Sequence, residues 1–329
     1  MKQLINKYSH IALLGLLSVT LPAHCSQQPW YNSINRETIR CLVYGKNTAA
    51  IDMAIGLRSM IQRPYMKMNP ESHIKVLQNK LILMEKNLRA TEQKQIYEVA
   101  KENGLDDQDT NRVFSLLDKF HNDRKQNFGQ SQLIGNHEID PNLTAIVKKQ
   151  LAKYNTDVAS VNLINEELAD IALAEGTCPM PSSWDLSSEN FIYEDIIPGS
   201  IKFSPEFYRN VQTKKAAKAI LTHEVTHFVE GHHLTCFMTI WAIQALKNLD
   251  TIKTGEPWDK LKQIHERQAE ILPSLKDKKS ASLIRLLRSG PNGTYPGMLY
   301  EKHYLQLSDI DETHKMISYL ENINTQNNS

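Results

Sequence analysis

The segment Thr222–Thr235 reads THEVTHFVEGHHLT and holds four of the chain's 12 histidines within 329 residues. His223 and His227 lie four apart, with Glu224 directly after the first, the H-E-x-x-H arrangement. On a helix, residues four apart project from the same side about 6 Å apart along the axis. Two neutral imidazoles there can meet one Zn²⁺ and begin a tetrahedral set. Glu224 need not be a ligand, so its carboxylate is placed to act as general base toward a metal-activated water. The competing reading is an amphipathic helix whose histidines are satisfied by ordinary hydrogen bonds.

Two histidines do not complete such a site. His233 stands ten residues after His223, the third-histidine place of H-E-x-x-H-x-x-G-x-x-H, but Glu230 occupies the glycine position and glycine follows at 231. Met298, in Pro-Gly-Met-Leu-Tyr, could imitate the methionine turn of that class. The favoured third ligand is Glu266 in the stretch HERQAEI, residues 265–271. Leu261, Ile264, Ile271 and Leu272 form the apolar stripe of that helix, and Glu266, Ala269 and Glu270 fall on roughly the opposite side. Small Ala269 between two carboxylates suits close packing against another helix. Glu266 would then complete the zinc sphere while Glu270, one turn on, steadies a histidine from behind.

The elements that must carry these residues can be read from periodicity and breakers. Glu37 to about Asp123 is rich in Leu, Lys, Glu and Gln, with helical spacing in Ile74, Leu77, Leu81, Leu83 and Leu88. Asn103-Gly104 stops one helix, and Asp107–Asp109 begin another through Val113, Leu116, Leu117 and Phe120. A helical N-terminal region of this length is expected to be able to form its own small bundle. Pro141 opens a further helix, and the β-branched alternation of Asp157–Ile164 and Gly199–Phe203 predicts short strands. The metal helix is expected over Lys214–Glu230, capped by Thr213 and ended by Gly231. Then come a helix from Pro257 to Leu272 stopped at Pro273, one around Ser280–Arg288, a loop at Gly290–Gly297 and a terminal helix near Asp309–Glu321. The expected class is α+β and predominantly helical, with a small strand region beside the metal helix.

Lys2 and Lys7 precede an apolar run, Ile11–Leu21, which ends at Pro22 before Ala23-His24-Cys25. This is the design of a secretory signal peptide over residues 1–25, and the run is too short to span a bilayer. Lipid attachment at Cys25 is the alternative, though His24 replaces the small residue wanted before that cysteine. Loss of the leader takes two lysines and no acid, moving the formal charge from +1 to −1. No basic surplus points to nucleic acid or anionic lipid, and no later run has the length of a span. The mature chain is therefore expected to be periplasmic or secreted. Cys41, Cys178 and Cys236 would remain, an odd count in an oxidising compartment, with pairing left open.

H-E-x-x-H followed about forty residues later by E-x-x-A-[DE] resembles the gluzincin metallopeptidases, most closely the CAAX prenyl endopeptidase group and its soluble periplasmic relatives. Carried over by position, the resemblance implies that His223, His227 and Glu266 are zinc ligands and Glu224 the general base. Glu270 stands where the family usually has aspartate. It implies a zincin-like catalytic domain over residues 136–329, one zinc per chain, and a protein or peptide substrate lying along the strand Gly199–Phe203. The helical region 26–135 is outside the resemblance. Tyr300, His303 and His314 are candidates for a group that assists at the scissile carbonyl. A non-catalytic, zinc-bound binding or chaperone-like protein, and a metzincin-type peptidase using His233, are the alternatives.

Overall fold

The computed structural model describes residues 48–127, 141–154, 162–165, 174–177, 183–185, 190–192, 200–203, 214–289 and 298–327. The leader, Cys41, Cys178, Thr213, the loop at 290–297 and the boundary placed near 135 lie outside these residues. The described chain is predominantly helical. In order its helices are α1 (Thr48–Met66), α2 (Pro70–Glu102), α3 (Asp107–Asn127), α4 (Pro141–Leu151), α5 (Lys214–Glu230), α6 (His232–Lys247), α7 (Glu256–Lys276), α8 (Lys278–Ser289) and α9 (Met298–Asn327). No described helix is long and apolar enough to cross a membrane.

Two compact units are formed, one from residues 1–78 with 288–329 and the other from 79–287. In the first, α1 and α9 bury Ile51, Ile55, Tyr304 and Leu305 together. Polar groups satisfy one another at the same seam: Tyr304 and Ser308 both donate to the Asp52 carboxylate, at 2.9 and 3.1 Å, and Arg58 pairs with buried Asp309. Met66, Met316 and Leu320 close the far end, with Ile74 and Leu77 packed on them. Met298, the residue offered as a methionine turn, is instead the first residue of a helix.

The second unit has a core drawn from helices far apart in sequence. Ile96 and Val99 of α2 and Val113, Leu116, Leu117 and Phe120 of α3 meet Leu234, Met238 and Ile243 of α6 and Trp258 and Leu261 of α7. The α2–α3 pair is therefore not a bundle of its own, because its apolar faces are completed by α6 and α7. Leu83, counted in the apolar stripe of α2, is exposed, whereas Leu81 and Leu88 are buried.

Among the described residues, five short strands lie between α4 and α5: β1 (Asn162–Asn165), β2 (Ala174–Thr177), β3 (Ser183–Asp185), β4 (Asn190–Ile192) and β5 (Ser200–Phe203). β3 and β4 pair antiparallel. In the other sheet β5 is central, parallel to β1 and antiparallel to β2. The strand expected to receive substrate thus already has a hydrogen-bonding neighbour on each side. That order could not be read locally, since it depends on which distant strands pair.

Pro273 does not stop α7, which continues to Lys276. Ile271, Leu272 and Leu275 are buried there, and this burial outweighs one hydrogen bond lost to a proline near the helix end. The stop comes at Asp277, whose backbone is extended. Its carboxylate accepts from the backbone N–H groups of Lys279 and Ser280, at 3.2 Å each, so it caps α8, and it pairs with Lys153 at 2.6 Å. Burial opposes its ionisation, but Lys153 and Ser280 outweigh that and bring its pKa down to about 2. Such a group stabilises the fold above the usual aspartate range and loses that contribution as pH falls toward 2. Asp277→Ala is expected to cost about 1–2 kcal/mol at neutral pH. Urea denaturation should show the gap from wild type narrowing in acid; a gap constant with pH would argue against the charged cap.

Candidate metal centre

The helix α5 runs over the residues expected from its sequence, Lys214–Glu230. Leu221, Val225 and Phe228 are fully buried and fix its rotation, which leaves His223 and His227 together on another face. This face packs on α7, where Ala269 is fully buried and lets the two backbones approach. Glu266, three residues earlier on α7, reaches across to both histidines.

His223 Nε2 and His227 Nε2 lie 3.0 Å apart. Glu266 places Oε2 at 3.3 Å from the first and Oε1 at 3.6 Å from the second. The three residues can hold a metal ion, since one ligand atom from each falls within 4.8 Å of the others. The Glu266 side chain is 51% exposed, so the group opens to solvent on the α7 side while His227 is buried. Glu224, nine-tenths buried, holds Oε1 at 4.0 Å from His223 Nε2, beside the group without entering it. Glu270 is buried, with Oε1 at 3.7 Å from His223 Nδ1, too long for a hydrogen bond, and that nitrogen has no hydrogen-bond partner.

Three carboxylates, Glu224, Glu266 and Glu270, therefore converge on one imidazole. Burial alone would lower the His223 pKa, but these acids raise it above the ordinary histidine value. His227, more dominated by burial and by the neighbouring His223, is lowered to about 4. Burial works against ionisation of Glu266, yet both rings together hold it well below the usual carboxylate range. Glu224, Glu266 and Glu270 thus bring negative charge around the two histidines, which suits a cation where the Nε2 atoms and Glu266 meet.

Gly231 ends α5 in the left-handed region, at φ 73° and ψ 38°, where glycine carries no steric penalty. The sequence reads this glycine as a stop, but the chain restarts at once as α6, because Leu234, Met238 and Ile243 have a core to enter. The reversal turns His232 back over His227, with their Nδ1 atoms 2.9 Å apart. His233, by contrast, is exposed at the start of α6 and is not among the three converging residues.

Behind His232 lies a second layer that sequence reasoning missed. His232 stacks on His265, with ring centroids 4.7 Å apart and planes within 10° of parallel. His265 contacts Glu92 Oε1 through Nε2 at 2.7 Å and Cys236 Sγ through Nδ1 at 3.4 Å, and Gln268 donates to Glu92 Oε2 at 2.9 Å. Burial opposes the charge on His265, but Cys236 and Glu92 raise its pKa to about 9. Cys236 is free and half-buried. The doubled His232-His233 was the available signal for this layer; Glu92, on α2, had none.

Of the three residues considered as helpers at a scissile carbonyl, His303 is buried and His314 half-buried, both in the unit formed by 1–78 and 288–329. The side chain of Tyr300 is outside the description. No family model, curated protein or solved structure matches the chain.

Proposed function

We propose that the protein is an exported zinc-dependent endopeptidase of the gluzincin type, with one Zn²⁺ held by His223, His227 and Glu266. The observation that carries this is the spacing of the three ligand atoms. Zinc bonds of about 2.0–2.1 Å in tetrahedral geometry set neighbouring ligand atoms about 3.3–3.4 Å apart. Here the two nitrogens lie 3.0 Å apart, and Glu266 brings Oε2 to 3.3 Å from one and Oε1 to 3.6 Å from the other. One ligand atom from each residue falls within 4.8 Å of the other two, so small shifts reach that spacing. Three protein ligands with a solvent-facing side are the pattern of a catalytic site, where a structural one is closed by four. When bound, Zn²⁺ polarises the scissile carbonyl and lowers the pKa of water toward ~7.

The remaining work belongs to the chain's own groups. Glu224 accepts a proton from the attacking water at its carboxylate and passes it to the leaving amine. Its burial keeps competing solvent away from that proton. Of the two strands packed against α5, β5 is paired on both sides, while β2 has one strand neighbour among the described residues. An extended peptide would add to this small sheet by backbone hydrogen bonds, and β2, Ala174–Thr177, is the strand that packs most on α5.

A purified, zinc-loaded chain is expected to cleave an unfolded substrate such as casein, to stop on chelation, and to recover with one equivalent of zinc. No cleavage by a chain that binds zinc fully would favour the binding-protein alternative. The His232 contact yields a separate expectation. For His227 Nε2 to offer a lone pair to the metal, its hydrogen must sit on Nδ1 and be donated to His232 Nδ1. His232→Phe removes that acceptor and should weaken zinc binding about 10–100-fold, measured by competition with a chromophoric chelator. Unchanged affinity would mean that His232 does not orient the ligand.

A further inference from the structure

Lysines from separate stretches of the chain gather within the unit formed by residues 79–287. Lys149 lies near the end of α4, Lys153 in the short turn of helix that follows it (Ala152–Tyr154), Lys218 on α5 and Lys279 on α8. α4 packs on α5, and Lys153 reaches Asp277 at the start of α8 at 2.6 Å, which draws the three helices together. Lys218 is half-buried among them. Burial lowers its pKa, the charges on Lys153, Lys149 and Lys279 lower it further, and Asp277 opposes them. Lys215, three residues before Lys218, extends the same face of α5. Lys149, Lys215 and Lys279 are exposed.

Asp277 is committed to Lys153, to Ser280 and to the first N–H groups of α8. Among the described residues no acid pairs with Lys149, Lys215, Lys218 or Lys279. The formal charge of −1 left after loss of the leader hides this cluster, because its members lie far apart in sequence. The residue type narrows the partner. Lysine is a hydrated point charge on a flexible stem, whereas arginine is the usual reader of phosphates held in fixed geometry. Tyr154, next to Lys153, is half-buried with the Lys276 ammonium 4.6 Å from its ring centroid, so it offers no free face to stack a base. A loose array of lysines suits a fluid surface of anionic headgroups, and clusters of about 4–8 cationic side chains suffice for such contact. Lys218 stands nine residues before His227, half a turn round the helix, so it leaves α5 on the side away from the metal-binding histidines.

We propose that Lys149, Lys153, Lys215, Lys218 and Lys279 form a docking surface for an anionic phospholipid bilayer. The contact is peripheral and electrostatic, each lysine adding about fivefold to the affinity at moderate salt. It does not depend on the metal, so it stands or fails apart from the peptidase reading.

The test is sedimentation of the exported chain, residues 26–329, with lipid vesicles, so that the leader contributes nothing. Vesicles of phosphatidylcholine with about 30% phosphatidylglycerol should carry the protein down, and pure phosphatidylcholine should not. Raising the salt from about 0.1 to about 0.5 M should release it. Lys149→Glu, Lys215→Glu and Lys279→Glu combined should weaken binding by about 100-fold. A control of equal net charge, Lys86→Glu, Lys94→Glu and Lys253→Glu on α2 and in the α6–α7 connection, should stay within about threefold of wild type. Both triples change only exposed side chains, and circular dichroism checks that their helices are kept. Equal binding to the two kinds of vesicle, or equal loss in both triples, would overturn the proposal. So would release by millimolar inorganic phosphate at constant ionic strength, the sign of a small-anion site. Tighter binding to poly-glutamate than to the anionic vesicles would replace the bilayer with an acidic polypeptide.

Discussion

Glu224→Gln is expected to keep one zinc per chain and to lose peptide hydrolysis by several orders of magnitude. The amide is nearly isosteric with the carboxylate, so it fits the volume of the buried position beside His223. Glu224 is not one of the three converging residues, so the metal has no reason to leave. What is lost is a proton acceptor at neutral pH, because an amide oxygen cannot take the water proton and return it to the amine. General-base groups contribute roughly 10²–10⁴-fold, and loss of the proton return to the leaving group adds to that. The check is kcat/KM on casein or a quenched peptide, with zinc stoichiometry on the same sample. Wild-type turnover in the variant would remove Glu224 as the base and the peptidase reading with it.

The parts of this site that were legible in the sequence are those that one helix encodes alone. α5 is bounded by a change of composition and a glycine, and the i, i+4 rule puts His223 and His227 on one face without knowledge of any partner. Glu266 was legible at one remove: an acid opposite the apolar stripe of α7 most often meets solvent, and small Ala269 beside it was the one sign that this face packs on another helix. What stayed hidden depends on nonlocal pairing or on the second conformation open to a breaker. Gly231 stops a helix in sequence logic, yet its positive φ also lets a new helix begin at an angle, and only a core for Leu234 and Met238 decides between them. The same choice delivers His232 to His227. Pro273 was overruled by buried leucines on either side of it. The central place of β5 depends on both β1 and β2. The joining of α2 and α3 to α6 and α7 needs contacts across more than a hundred residues, which no local period records.

The identity of the third ligand carries the second large effect, and it separates two branches of zinc peptidase with one pair of variants. Glu266→Ala should remove one of three protein ligands and weaken zinc binding sharply, taking hydrolysis with it. Its oxygens already lie 3.3 and 3.6 Å from the two histidine nitrogens, and zinc–carboxylate bonds of about 2.0–2.2 Å need little movement from there. His233→Ala should bind zinc close to wild type, since that exposed residue lies past the α5–α6 reversal and outside the converging group. Glu270→Ala should fall between them, about 10–100-fold weaker, as expected for a buried acid that acts on a ligand without touching the metal. Its 3.7 Å separation from His223 Nδ1 must close in the loaded site for that to hold, so a neutral result at Glu270 would leave the ligand set standing and remove only the supporting contact. Full zinc binding by Glu266→Ala together with its loss in His233→Ala would reverse the assignment. Zinc titration of these variants tests the ligand set without any knowledge of the substrate.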